Sequence, residues 1–398
     1  MLDAENLPKD GPVLMNCNHP GAFLDACLIS AFSERPLYYL TRGDMFKKGI
    51  ASWFLTATHQ IPIYRADHGI SQMRQNRETF KTCYEYLNRD KVIIIFPEAK
   101  ADIEKKLRPL YKGAARITFG TFDEYEMLPA VVPVGFTFSE PRLFGFDAFY
   151  RYGPPIPTEQ YLELYKEDPQ AAYQALTDDI HDGLRKTMIY VESLEGEAVF
   201  DDLVILLETP PSEFPAVSRS LKVFYWQDAM AEKVNDLDDD ALAATKHLVD
   251  EMKATLASSG ISWNAYPWLA DNRIGFVATL LSAPFRLLGW LFGLIPTWIT
   301  YKVFISKVKR GVFIGPIKSM IGFFIHGFFY LIIGGVLAVF IGWWAWLIMV
   351  LMAMMQYFRL KQKRKPNILE WLRWQSVSKD QKASLAARRS ELRSQFAS

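Results

Sequence analysis

Over the first 140 positions, hydrophobic residues gather into short runs separated by longer stretches of helical spacing. The runs Pro12 to Cys17, Leu37 to Thr41, Gln60 to Tyr64, Val92 to Phe96 and Ala130 to Phe138 are rich in apolar and β-branched side chains, the composition of strands. Between several of them, Ala26 to Phe32, Phe46 to Thr56, Gly69 to Leu87 and Gly113 to Phe119 have the spacing of helices. This alternation predicts an α/β fold with a mostly parallel central sheet and covering helices. Val92-Ile93-Ile94-Ile95 has no polar position, as a strand buried on both faces requires.

After about Pro157 the pattern becomes helical. Glu159 to Val191, Phe200 to Glu208, Ala216 to Val234 and Ala241 to Ser258 read as helices, interrupted by Pro210-Pro211, Asp236 to Asp239 and Ser258 to Gly260. From Met320 to Phe358 no Asp, Glu, Lys or Arg occurs. One helix of that length would reach about 58 Å at 1.5 Å per residue, nearly twice a hydrocarbon core of about 30 Å. A C-terminal transmembrane helical hairpin is therefore expected, turning near Gly334-Gly335 or Ile341-Gly342. A long buried hairpin in a soluble core is the alternative.

Lys302, Lys307, Lys309, Arg310 and Lys318 precede the run, and Arg359, Lys361, Lys363, Arg364 and Lys365 follow it. Basic residues at both ends place both in the cytoplasm, which implies an inner, cytoplasmic membrane with the N-terminal domain facing the cytoplasm. Ile274 to Ile299 is interrupted by Pro284, Arg286 and Pro296 and is expected to lie on the membrane or re-enter it. Met1 to Lys9 carries no secretory pattern. The charged, helix-prone tail after Trp374 is expected to be solvent-exposed. The resulting division is an α/β domain over 1–192, a helical accessory region over 193–270, a membrane segment over 271–358 and a charged tail over 359–398.

Charge excludes one class of partner. The 398 residues hold 45 Lys and Arg against 44 Asp and Glu, so no basic field points to nucleic acid. The three cysteines Cys17, Cys27 and Cys83 contain no CxxC pair and suit a reducing compartment. The six histidines show no ligand spacing, and no metal site is expected.

The candidate chemistry is concentrated near the N-terminus. His19 is followed by Asp25 across Pro20-Gly21-Ala22-Phe23-Leu24. An imidazole can activate a hydroxyl near neutral pH, and a carboxylate folded back by the Pro-Gly turn would orient it. For the pair alone, a loop histidine and an Asp capping a helix is the simpler account.

Further blocks follow in order: Ile61-Pro62-Ile63-Tyr64-Arg65, Phe96-Pro97-Glu98 and Val131-Val132-Pro133-Val134. With Asn18-His19 and Asp25 at their head, these four blocks, spanning about Gly11 to Gly135, resemble the glycerolipid acyltransferase family, which includes glycerol-3-phosphate and acylglycerolphosphate acyltransferases. The sequence departs from the family pattern twice. Five residues rather than four separate His19 from Asp25, and Ala99-Lys100-Ala101 stands where the family commonly has Gly-Thr-Arg.

The resemblance implies that His19 deprotonates an acceptor hydroxyl, that Asp25 orients His19, and that the hydroxyl attacks the thioester of acyl-CoA or acyl carrier protein. It implies glycerol 3-phosphate or a lysophospholipid such as lysophosphatidic acid as acceptor, and no cofactor. Arg65 would bind phosphate, and Glu98 would engage glycerol hydroxyls or order the cationic groups. Lys100, Lys112 and Arg116 follow the third block and are candidates to replace the missing arginine, with Lys112-Gly113 opening a helix whose amides could assist. Arg42, Lys47 and Lys48 could meet headgroups or donor phosphates, or simply line an exposed helix face. The competing readings are a lipid thioesterase and a non-catalytic, membrane-anchored lipid-binding protein.

Overall fold

The computed structural model describes residues 1–46, 49–64, 70–139, 148–207, 219–273, 275–361 and 365–396. Two compact units make up the chain, the first ending at Tyr190 and the second beginning at Val191.

The first unit is built on six strands: β1 (Val13–Cys17), β2 (Leu37–Arg42), β3 (Gln60–Ile63), β4 (Val92–Ile95), β5 (Ala130–Phe138) and β6 (Ala148–Tyr152). Their order across the sheet is β3-β2-β4-β1-β5-β6. All neighbours pair parallel except β5 and β6, which pair antiparallel. The five expected strands lie within a residue of their predicted ends. β6 was not anticipated, because its sequence Ala-Phe-Tyr-Arg-Tyr is short and has an arginine in its middle.

Every residue of β1 and β4 is buried, as two central strands covered on both faces must be. On one face Leu14, Ile93, Ile95 and Val131 pack with side chains of α3 (Ile70–Leu87), α4 (Gly113–Tyr125) and α6 (Pro169–Thr187). The pairing register fixes the site. Asn16 lies opposite Ile95, so residues 19 and 98, each three positions further on, emerge side by side at the carboxyl edge of the sheet. Such sheets bind their ligands at this edge.

In the second unit, α7 (Leu194–Leu207) packs against α8 (Arg219–Asn235) and α9 (Asp239–Ser258), burying Phe200, Leu203, Trp226 and Met252. The charged tail does not stand free as its composition suggested. Its helix α15 (Lys379–Phe396) buries Leu385, Arg389, Leu392 and Phe396. Arg389 grips Asp271 through two nitrogens, at 2.5 and 3.0 Å, and donates through Nε to the carbonyl of Leu206 at 3.0 Å. A charge count along the helix missed this because one fully satisfied arginine can be buried while its neighbours stay wet.

The apolar region forms three helices, α11 (Phe276–Ile299), α12 (Ile314–Ile341) and α13 (Trp344–Lys361). Pro284 and Pro296 lie inside α11 rather than ending it, and a π-helical turn, Thr300–Phe304, continues it. Arg286, the charge within this run, donates to the carbonyl of Pro366 at 2.9 Å. Two stretches, Phe276–Lys307 and Gly311–Ile341, are long and apolar enough to cross a membrane. The hairpin turns at Gly342, whose φ of 62° suits a residue without a side chain. The other candidate turn, Gly334-Gly335, lies inside α12.

α11 and α13 approach closely at Gly289, where an added Cβ would sit 2.4 Å from the carbonyl oxygen of Met355. Gly335 on α12 has nothing within 4 Å of the same position. Gly289→Ala should therefore lower stability by about 1–3 kcal/mol through overpacking, while Gly335→Ala should be neutral or slightly stabilising. Thermal unfolding of the two variants in the same detergent tests this, and equal melting shifts would refute the close approach.

Candidate active site

Asn18 and His19 leave the end of β1, and α1 (Phe23–Phe32) begins four residues later. The chain between them turns tightly enough for Asp25 to reach back. Its Oδ2 lies 2.7 Å from Nδ1 of His19, so the five-residue separation does not prevent contact. The carboxylate also accepts the Gly21 N–H, at 3.0 Å to Oδ1 and 3.1 Å to Oδ2. The same side chain thus closes the turn and orients the ring, while the N-cap of α1, Ala22, has no side-chain cap hydrogen bond. A Cβ on Gly21 would fall 2.4 Å from Asp25 Oδ1 and 2.7 Å from the ring of Phe138, so only glycine fits. Ala22, buried, takes φ 52° to complete the turn.

Asp25 is fully buried and His19 about one-fifth exposed. Burial pushes the Asp25 carboxyl above its ordinary value, opposed by the bond to His19 and the Gly21 N–H. A carboxylate on Nδ1 holds the imidazole proton there and leaves the Nε2 lone pair for a substrate. The His19 ring stacks on Phe96 with centroids 4.0 Å apart, which restricts its rotation. Asn18 is anchored on the other side: it accepts the Phe136 N–H at 2.6 Å and donates to the Phe136 carbonyl at 2.9 Å, tying the motif to β5.

Glu98 is turned inward. Its Oε1 accepts the backbone N–H of His19 at 3.1 Å and its Oε2 that of Arg108 at 3.2 Å. Burial raises its pKa, while these two amides and the charges of His19 and Arg108 oppose the shift. Glu98 therefore ties two backbone segments of the loop together, at His19 and at Arg108. Ala99, at the position where the resemblance led one to expect glycine, has φ 56°; the backbone keeps the left-handed conformation without the residue that adopts it most easily.

Sequence reasoning missed Arg108 and Asp102. The Asp102 N–H donates to the His19 carbonyl at 3.0 Å, and the Asp102 carboxylate pairs with the Arg108 guanidinium. A basic side chain is thereby brought into the ring of backbone contacts around His19. The signal was present as an acidic and a basic residue six apart, but only the folded loop distinguishes that spacing from a solvated pair.

Among the predicted cations, Lys100 is exposed and Lys112 half-buried. Lys112 is held beside the third block because the preceding Tyr111 donates its N–H to Pro97 at 2.9 Å. Arg116 is not drawn into this cluster; it is exposed, with its guanidinium 6.0 Å from the Tyr173 ring centroid. Arg65, Lys47 and Lys48 lie outside the described residues. Arg42 is paired with Asp44 at 2.5 Å. No cluster of three or more metal-ligating side chains occurs among the described residues.

Residues 2–137 match the acyltransferase family model, so this stretch of the chain is similar to that family. Among curated proteins, it is 31% identical over 111 residues to glycerol-3-phosphate O-acyltransferase 2 of Saccharomyces cerevisiae, covering 27% of this chain and 15% of that one. It is 27% identical over 198 residues to glycerol-3-phosphate O-acyltransferase 1 of the same yeast, covering 44% and 26%. The match thus spans about a quarter or less of the length of these relatives. A crystal structure of the 1-acyl-sn-glycerophosphate (LPA) acyltransferase from Thermotoga maritima aligns with 46% of this chain and 69% of that one, at 16% identity and a TM-score of 0.34.

Glu98→Gln offers only one acceptor oxygen to two buried N–H groups. The unsatisfied donor should cost about 1–3 kcal/mol. Because burial raises the Glu98 pKa from its ordinary 4.5, the folded wild type holds this proton to higher pH than the unfolded chain. Wild-type stability should then fall as pH rises through the window just above 4.5, a dependence Glu98→Gln lacks. Urea unfolding of both proteins across that range should show the wild type's advantage narrowing as pH rises; a constant difference would contradict the buried, proton-holding site.

Proposed function

We propose that this protein is a membrane-bound O-acyltransferase that moves a fatty acyl group from acyl-CoA or acyl carrier protein to glycerol 3-phosphate or a lysophospholipid such as lysophosphatidic acid. The observation that carries the reading is the His19–Asp25 contact of 2.7 Å, on the stretch that matches the family. His19 Nε2 takes the proton of the acceptor hydroxyl as its oxygen attacks the thioester carbonyl; the C–S bond then breaks, and the thiolate leaves with a proton returned by the imidazolium. Asp25 holds the ring in the required tautomer and balances its transient charge.

Arg108, Lys100 and Lys112 are among the described cations near the third block, and a phosphate on the acceptor suits them. Arg108 is already oriented by Asp102. The yeast relatives are glycerol-3-phosphate O-acyltransferases by name, which makes glycerol 3-phosphate the first acceptor to test. The apolar helices support anchorage in a membrane, where a long-chain product can enter the leaflet directly. The basic residues flanking the hairpin favour a cytoplasmic face for both of its ends.

Purified protein incubated with labelled acyl-CoA and a panel of acceptors should transfer label to glycerol 3-phosphate or lysophosphatidic acid. His19→Ala should reduce the rate by about 10²–10⁴-fold, with Asp25→Asn also strongly impaired and both variants folded. Full transfer by His19→Ala, or no transfer to any acceptor by the wild type, would sink the proposal; acceptor-independent release of fatty acid would favour a thioesterase. Anchorage is tested separately: the full chain should stay with membranes through an alkaline carbonate wash, and release into the supernatant would exclude spanning helices.

A further inference from the structure

The second unit contains a cavity of about 470 Å³, within the range of small-molecule sites, and none of its walls belongs to the His19 site. Tyr266, Trp371, Trp374, Asn272 and Lys382 are among its lining residues. Trp371 and Trp374 come from α14 (Ile368–Ser376), Lys382 from α15, and Tyr266 from α10 (Tyr266–Ala270).

Its position and charge both point to a lipid. Trp371 packs on Phe276, the first residue of the apolar helix α11, with ring centroids 4.8 Å apart. On the same short helix, Leu369 and Leu372, on a face away from the cavity lining, are 62% and 49% exposed. Tryptophan beside the end of an apolar helix is the arrangement found at a membrane–water interface. A cation stands against the aromatic wall: the Lys382 ammonium lies 5.0 Å from the Trp374 ring centroid.

The acidic side chains close by are already engaged. Glu370 accepts the backbone N–H groups of Ser262 and Asn367, at 3.1 and 2.9 Å, and Asp271 is held by Arg389 and Arg273. The cavity lining itself carries the Lys382 ammonium and no acidic side chain.

We propose that this cavity binds the headgroup of an anionic phospholipid from the bilayer, with its acyl chains lying along the start of α11, where Val277, Leu280 and Leu281 are exposed. The proposal rests on the membrane-bound reading above but concerns a second lipid site, separate from the one where acyl transfer would occur. The phosphate meets Lys382, and the glycerol backbone meets the Trp371–Trp374 wall.

The test uses the full chain in detergent micelles, so that lipid occupancy is read independently of membrane insertion. Tryptophan fluorescence is titrated with brominated phosphatidylglycerol, with brominated phosphatidylcholine and with soluble glycerol 3-phosphate as competitor. Phosphatidylglycerol should quench at a concentration about tenfold lower than phosphatidylcholine. Lys382→Gln should reduce that preference about fivefold, the effect of one cation near an anionic headgroup. Lys382→Arg should retain it, and Trp374→Phe should remove part of the quenchable signal. Equal quenching by the two lipids, or a preference unchanged by Lys382→Gln, would overturn the site. Full displacement by glycerol 3-phosphate would assign it to free phosphate instead. A chain that passes this test but is washed off membranes by carbonate would keep the lipid site and lose the spanning helices.

Discussion

The site depends on a carboxylate buried beyond the reach of water. Asp25 has no solvent exposure, and an ionised group in that position is costly unless every oxygen finds a partner. The partners are the Gly21 N–H and His19, both on the turn that precedes α1. The turn must therefore be tight, Gly21 must lack a Cβ, and Ala22 must accept a positive φ. Those three local conditions bring the imidazole to the carboxyl edge of the sheet, and the sheet then determines what faces it. β4 delivers Glu98 because its register with β1 is set further back, at Val13 opposite Val92. The imidazole is consequently held from three sides: Asp25 on its Nδ1, Phe96 across its face, and Glu98 on its main chain.

Much of this was legible in the sequence because it follows from period and order. Apolar runs of strand length, separated by helical spacing, gave the parallel sheet, and the order of blocks placed His19 and Glu98 at strand ends. Legibility failed where long-range pairing outweighed local composition. β6 has little strand signal of its own and exists because β5 presents an unpaired edge, with Val134 opposite Tyr152 and Phe138 opposite Ala148. Arg108 was passed over because its role is defined by backbone amides of a loop without regular structure. Pro284 and Pro296 suggested breaks in α11, yet the helix continues through both, with the packing against α13 at Gly289 and Gly293 holding its line.

The C-terminal tail shows the same limit from the other direction. Lys379 to Phe396 looks like a solvated helix by charge, and most of its surface is exposed. What docks it is a stripe of four residues, Leu385, Arg389, Leu392 and Phe396, spaced by three or four as one helical face requires. Arg389 sits in the middle of that stripe and would be discounted by any rule that counts charges as polar. Its five donors can satisfy a carboxylate and a carbonyl together, which is how an arginine enters an apolar seam without an unpaired proton.

Asp25 and Arg389 are therefore two instances of one device. A buried ion pair adds little net stability, since desolvation cancels much of the attraction, but it tolerates few geometries. In the first unit that selectivity fixes the ring whose nitrogen would carry the proton. In the second it fixes the carboxyl-terminal helix against Leu206 and Asp271, just ahead of the first apolar helix. Without Asp25 the imidazole would be free to turn, and an apolar pair in place of Arg389 and Asp271 would keep the burial but leave the terminal helix less fixed along its seam. Glu98 and Glu370 are buried as well, and each likewise holds backbone N–H groups in position.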